Sequence, residues 1–164
     1  MKIIIRNYQQ KDLPIIQDIA NRAYRNILEM FKQTYGEELR NIIFPGAGEH
    51  IHIGERVQLY CKDHPELVRI CEEESRKIVG FVLFSIDHDK KIGRISYNAV
   101  DPECRLKGIG QQMYKAVLDN FRAEGMLYAT VMTGLDEAHA KARRAYERAG
   151  FNIHHEDVNY FIKL

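Results

Sequence analysis

Apolar positions fall along this chain in two periods, and the switches between them outline its elements. Ile3 to Tyr8 is β-branched and aromatic, Gln9-Gln10-Lys11-Asp12 offers a turn and an N-cap, and Leu13-Pro14 places proline in a first helical turn. Ile15, Ile16, Ile19, Ala20, Ala23 and Tyr24 then recur at three-and-four spacing, which predicts a helix to about Leu28. Between Glu29 and Tyr60 the pattern loosens, and Pro45-Gly46-Ala47-Gly48 breaks any regular element, giving a helix, a loop and a further helical piece. Leu67 to Cys71, Ile78 to Ile86 and Ile92 to Val100 read as strands, the last two joined at the polar loop Asp87-His88-Asp89-Lys90-Lys91. They form a short antiparallel meander.

Ile109, Met113, Ala116, Val117 and Phe121 return to helical spacing as far as a C-cap at Gly125, and Leu127 to Met132 reads as a strand. Strand, helix and strand make one βαβ unit, whose crossover is expected to be right-handed. A last helix is predicted from about Glu137 to Ala149, between Asp136 and Gly150, with Ala138, Ala142, Ala145 and Ala149 along one stripe. Phe151 to His155 and Asn159 to Leu164 are expected to form a terminal strand pair. With no repeat, low-complexity segment or linker, the expectation is one domain over residues 1–164. Its class is α/β (α+β), a mixed, mostly antiparallel sheet flanked by helices.

Composition narrows the function. A chain of 164 residues can bury roughly 70% of its unfolded surface without metal or disulfides. Its 24 Lys and Arg nearly cancel its 23 Asp and Glu, so no global field draws it to nucleic acid or an anionic membrane, and any polyanion must be met locally. Cys61, Cys71 and Cys104 lack a paired or finger spacing, which favours free thiols in a reducing compartment, hence the cytoplasm. No apolar run approaches the ~20 residues of a membrane span, and Met1 to Arg6 is too short and too soon charged for a signal peptide.

The chemistry concentrates in Asn98-Ala99-Val100-Asp101-Pro102-Glu103-Cys104-Arg105-Leu106-Lys107-Gly108-Ile109-Gly110, where a strand hands over to a helix. N–H groups at a helix start are unpaired and carry the positive end of the dipole, and Gly108 and Gly110 let a phosphate approach the backbone while Arg105 and Lys107 add charge. A dinucleotide fingerprint would need a third glycine where Met113 stands, and a Walker A sequence is absent. An ordinary glycine-containing turn remains the rival reading.

The downstream helix adds a second motif. Arg105-x-x-Gly108-x-Gly110, preceded by Val100-x-Pro102, together with Ala142, Tyr146, Gly150 and Phe151, resembles the two signatures of the GNAT superfamily of acyl-CoA-dependent N-acetyltransferases. His139 stands where that family usually has Asn. The resemblance spans roughly Ile78 to Leu164 and, more loosely, the opening strand and helix. It implies the GNAT-like sheet, acetyl-CoA as cosubstrate, and direct acetyl transfer to a primary amine of a small molecule or peptide. It further implies that Asn98, Ala99 and Val100 pair with the pantetheine arm. Arg105, Leu106, Lys107, Gly108, Ile109, Gly110 and Gln111 would hold the pyrophosphate, and His139 would touch the cofactor or merely cap its helix. By the same resemblance Tyr146 is the general acid for the departing CoA thiolate, and also borders the cofactor. A phenol with pKa near ~10 can supply that proton.

The amine must lose a proton, and the strand before the turn, Ile95-Ser96-Tyr97-Asn98-Ala99-Val100, lacks the acid the family often carries there. Glu29, Glu72, Glu73, Glu74 and His88 are the candidates, each competing with an ordinary surface role. Tyr24, Glu29, Phe31, Tyr35 and Phe44 are expected around the acceptor. His50-x-His52 with Glu49, and His154-His155, lack a third ligand at a set spacing, so no metal site is expected. Cys104 is expected to be chemically quiet. A non-catalytic acyl-CoA-binding or sensing module and a nucleotide-binding regulator are the alternatives, and a homodimer is left open.

Overall fold

The computed structural model describes residues 3–44 and 53–164. Pro45-Gly46-Ala47-Gly48, Glu49, His50 and His52 lie outside the described residues. Strand β1 (Ile3–Asn7) leads through a short 3-10 turn into helix α1 (Leu13–Ala23), and Tyr24 passes the chain directly to α2 (Arg25–Ile43). Helix α1 thus stops earlier than its apolar spacing suggested, because Tyr24 turns the chain without a loop. Within α2, Gly36 has φ 71° and interrupts the helical geometry. Helix α3 (Ile53–Asp63) then leads to β2 (Val68–Glu73), β3 (Ile78–Asp87) and β4 (Ile92–Val100). Helix α4 (Ile109–Ala123), β5 (Tyr128–Val131) and α5 (Ala140–Arg148) follow, α5 being preceded by a 3-10 turn at Glu137–His139.

The five strands lie in chain order, β1 to β4 antiparallel and β5 parallel to β4. This is the mixed sheet with one βαβ unit that the pattern predicted. Strand β3 is central and buried from Ile78 to Phe84, so it reads as a continuous apolar run rather than an alternation. On one face Ile16, Ile19 and Ala20 of α1 and Val57 and Cys61 of α3 pack on Val68, Ile70, Phe81 and Leu83. On the other, Ile109, Met113, Val117 and Phe121 of α4 pack on Val79, Val82, Phe84 and Ile95. Gly93 lets the Phe121 ring lie against β4, since a Cβ there would overlap it. Burial raises the thiol pKa of Cys61 to about 11 and that of Cys71 to about 12, so both stay protonated and inert.

The expected terminal strand pair does not form. From Phe151 to Leu164 the chain has no regular structure, and everything after Phe151 is exposed. A strand-like sequence needs a partner backbone. Here Phe151 packs on the α4 side of the sheet, and further along Phe161 lies against Tyr35 and Lys163 on Glu38 of α2.

Two irregularities shape the end of β4. Val82 faces Asn98 while Phe84 faces Ile95, so Ser96 and Tyr97 together oppose Leu83 as a bulge in β4. The pairing of β5 with β4 runs only from Ile92 to Ile95, so the strands part company at that bulge. The second half of β4 is left with an open side.

Candidate functional site

Asp101 N–H donates to the Val79 carbonyl at 2.8 Å, which makes Val79 and Asp101 a hydrogen-bonded antiparallel pair. By alternation, the N–H and C=O of Asn98 and Val100 therefore point to the open side of β4, whereas those of Ala99 point to β3. Tyr24 caps this backbone: its hydroxyl donates to the Asn98 carbonyl at 3.1 Å and accepts from the Asn98 N–H at 3.3 Å.

The Asn98 side chain gathers the remaining hydroxyls. Its Nδ2 donates to Tyr146 Oη at 3.1 Å and to the Ser96 carbonyl at 3.0 Å, across the bulge, and its Oδ1 accepts from the Tyr114 hydroxyl at 2.8 Å. The Tyr114 and Tyr146 rings lie 5.2 Å apart. Three phenols, from the end of α1, from α4 and from α5, thus converge on one asparagine where β4 and β5 separate. Burial pushes the Tyr146 phenol above its ordinary pKa, with the Asn98 hydrogen bond pulling the other way. Burial raises Tyr24 and Tyr114 as well, so all three hydroxyls hold their protons at neutral pH.

Beyond β4 the chain makes a braced turn. Buried Asp101 accepts from Arg22 Nη1 at 2.6 Å and from the Glu103 N–H at 2.9 Å, and its carbonyl accepts from the Cys104 N–H at 2.9 Å. Arg22 and the turn hydrogen bond hold the Asp101 carboxyl below its usual pKa, so the brace is charged at neutral pH. Gly108 follows at φ 81° as the N-cap of α4, with no side chain capping the helix. The N–H groups of Ile109, Gly110 and Gln111 therefore open the helix without intrahelical partners, and the first in-helix donor is Gln112 N–H to the Gly108 carbonyl. Space beside Gly108 is open, for a Cβ there would meet nothing within 4 Å. Arg105 and Lys107 are the bases of this turn, Leu106 packs on the α4 side of the sheet, and Gln111 spends its amide on the Ala145 carbonyl at 2.8 Å, tying α4 to α5.

His139 sits in the turn before α5. Its Nδ1 lies 2.7 and 2.9 Å from the two Asp136 oxygens, and its N–H donates to the same carboxylate at 3.1 Å. The ring fits against Gly134, where a Cβ would collide with it, and stands 6.4 Å from the Phe31 ring. Nε2 has no protein partner among the described residues. Phe31 in turn stacks on Tyr35 at 5.7 Å and Phe44 at 5.3 Å, and Arg56 covers Phe44 at 5.7 Å. These rings form one aromatic wall, while Tyr24 belongs to the Asn98 network and Glu29 is exposed.

Of the acids considered as bases, Glu72 is removed by its setting. It is buried against Arg6 at 2.8 Å and Arg76 at 3.1 Å at the far, β1 side of the sheet, and those partners lower its pKa. Glu73 neighbours Cys104, whose Sγ is 4.0 Å from its Oε1, and Glu74 and His88 are exposed. Among the described residues no cluster of three metal-ligating side chains occurs.

Tyr114, the Asn98 side chain and the Arg22–Asp101 brace escaped the sequence reading. Tyr114 offered one signal, since a hydroxyl on the buried α4 face beside Met113 and Val117 has to find a partner. Arg22 and Asp101 are 79 residues apart and gave none.

Residues 21–151 match the acetyltransferase (GNAT) family. The mycothiol acetyltransferase of Segniliparus rotundus is 27% identical over 101 residues, 58% of this chain and 37% of its own. That of Streptosporangium roseum is 33% identical over 89 residues, 51% of this chain and 26% of its own. The chain thus spans well under half the length of these curated relatives. Among solved structures, the PaiA N-acetyltransferase of Thermoplasma acidophilum in complex with coenzyme A superposes with a TM-score of 0.71 at 16% identity, covering 96% of this chain and 94% of that one. A GNAT family acetyltransferase of Brucella melitensis in complex with acetyl-CoA gives 0.61 at 18% identity, covering 93% and 84%. With the family matched over most of its length and the fold shared from end to end, the chain belongs to the GNAT acetyltransferases.

Proposed function

We propose that this protein is an acetyl-CoA-dependent N-acetyltransferase that moves the acetyl group directly to a primary amine. The observation that carries the reading is the position of the Tyr146 hydroxyl. It is buried, protonated and held by Asn98 where the β4 backbone opens, one strand exit away from an uncapped, glycine-started helix. The open side of β4 at Val100 suits an amide of a pantetheine arm, and at Asn98 such an arm would take the place of the Tyr24 hydroxyl on the backbone. The N–H groups of Ile109, Gly110 and Gln111, with Arg105 and Lys107, suit a pyrophosphate. Ala99 anchors the strand in the core on the α1 side, and Leu106 anchors the turn in the core on the α4 side.

In this reading the neutral amine attacks the thioester carbonyl, a C–N bond forms, and backbone donors near the end of β4 take the charge on the carbonyl oxygen. As the C–S bond breaks, Tyr146 gives its proton to the CoA sulfur, and the proton lost by the amine leaves through water. His139 offers only Nε2, because Asp136 occupies Nδ1, and that nitrogen contacts the cofactor arm in place of the family's usual amide. The aromatic wall of Phe31, Tyr35 and Phe44 suits an acceptor with an apolar body behind its amine.

The test is release of free CoA from acetyl-CoA across a panel of primary amines by the wild type and Tyr146→Phe. Loss of a positioned general acid is expected to lower kcat by about 10²–10⁴ while acetyl-CoA binding stays within about threefold. Normal binding with full turnover at the pH optimum would defeat the acid role. Tight acetyl-CoA binding with no transfer to any amine would favour the sensing alternative.

A further inference from the structure

A circuit of ring contacts leaves the Asn98 network on one side and returns to it on the other. Tyr24, on the Asn98 backbone, meets the Tyr97 ring edge-on at 6.0 Å, and the Tyr97 hydroxyl accepts from Arg56 Nη1 at 3.5 Å. Arg56 lies over the Phe44 ring at 5.7 Å, Phe44 stacks on Phe31 at 5.3 Å, and Phe31 reaches the His139 ring at 6.4 Å. His139 opens helix α5, which carries Tyr146 back to Asn98. Four aromatic side chains and one cation thus span the gap between Asn98 and His139.

Arg56 is the charge on this circuit that has no counter-ion. Among the described residues it pairs with no carboxylate, and its two contacts are the Tyr97 hydroxyl and the face of Phe44. The acids beside the circuit are engaged already, Asp136 by His139 at 2.7 Å and Glu38 by Lys163 at 2.8 Å. Glu29 stands two residues from Phe31 and Glu55 one from Arg56, and helix residues at such spacing do not face each other. A guanidinium over an aromatic ring is pre-oriented, and its planar fork of donors matches a carboxylate. Its place is also set, because Tyr97 belongs to the β4 bulge and Asn98 follows it. One tyrosine side chain separates Arg56 from that backbone, a span that holds a thioester carbonyl, an amine and a short carbon link to a carboxylate.

We infer that the acceptor is a free α-amino acid with an apolar side chain, its carboxylate held by Arg56. The Phe31, Tyr35 and Phe44 rings take the side chain, and the amine is left to face the thioester beside Asn98. This rests on the acetyltransferase reading above and adds the substrate class to it. The amine nitrogen bonds to the acetyl carbon and the C–S bond breaks, giving the N-acetylamino acid and CoA. The amine's proton goes to water and that of Tyr146 to the sulfur. A polyamine would set a like charge against Arg56, and a peptide N-terminus carries an amide where the carboxylate should be.

The test adds L-phenylalanine, L-phenylalaninamide and spermidine to the amine panel and measures CoA release by the wild type, Arg56→Ala and Arg56→Lys. The wild type should prefer phenylalanine to its amide by about 10- to 100-fold in kcat/KM, the effect of one charged hydrogen-bonded pair. Arg56→Ala should raise the KM for phenylalanine by that factor and change kcat less than about threefold, since the contact is made equally before and during transfer. The amide, with no carboxylate to lose, should respond far less, and Arg56→Lys should recover part of the loss. Equal use of acid and amide, a preference for spermidine, or equal losses for acid and amide in Arg56→Ala overturns the inference and leaves the acetyltransferase reading standing. Acetyl-CoA binding with CoA release from no member of the panel overturns both.

Discussion

At Tyr146 the local physics supports the proposed chemistry. A catalytic acid that donates to a thiolate has to be protonated when it acts, and burial ensures this by raising the phenol above the ordinary tyrosine value. Because the protonated form is the competent one, any fall in rate due to Tyr146 lies on the alkaline side, above about pH 10. In Tyr146→Phe that alkaline limb should disappear along with most of the rate, as a pH profile of CoA release would register. At His139, one ring nitrogen is committed to Asp136 and one is available. His139→Asn, which restores an amide, should leave acetyl-CoA affinity within about threefold. His139→Ala should weaken it by roughly five- to tenfold, the effect of one net hydrogen bond. Titration calorimetry measures both, and equal losses in the two variants would place Nε2 elsewhere.

At the scale of elements, the site depends on how β4 ends. The bulge at Ser96 and Tyr97 separates β4 from β5, and Arg22 on α1 fixes the following turn through Asp101. Arg22→Ala leaves a buried carboxylate without its guanidinium, and is expected to cost on the order of 2 kcal/mol in urea unfolding and to weaken acetyl-CoA binding. The same pairs predict acid sensitivity. Asp101 and Glu72 have depressed pKa values in the fold because of Arg22 and Arg6. Their contribution is present above the unfolded carboxylate pKa of about 4 and is lost as pH falls through the lower folded values. Stability should therefore hold from about pH 8 to 5 and decline below about 4, with a shallower decline in Arg22→Ala.

Elements with strong periodicity were legible in the residues themselves. The β4 strand occupies Ile92 to Val100 as its pattern predicts, and Gly125 and Gly150 end α4 and α5 at positive φ. The glycine turn was readable because Gly108 adopts a left-handed conformation that other residues disfavour. What was not legible is what depends on contact between distant segments. The Tyr24, Asn98, Tyr114 and Tyr146 network joins four elements, and no spacing rule connects them. The terminal strands failed for the complementary reason: residues 158–164 carry a strand's pattern, but pattern supplies no partner.

For the whole molecule, the two cores divide the work. The α1 and α3 side fixes Tyr24 and Arg22, the α4 and α5 side fixes Tyr114 and Tyr146, and the sheet between them opens where both sets meet. Its near-neutral charge of +1 supplies no global attraction for a polyanionic cofactor, and the proposed reading gives that task to the turn from Arg105 to Gln111. The most direct test of that assignment is calorimetric titration of acetyl-CoA into the full chain, with ATP and NAD as competitors and Gly108→Asp beside the wild type. The account predicts one acetyl-CoA per chain, bound more tightly than ATP or NAD, and weakened at least tenfold when a carboxylate is placed at Gly108. Preference for ATP or NAD, or acetyl-CoA binding untouched by that carboxylate, would contradict it.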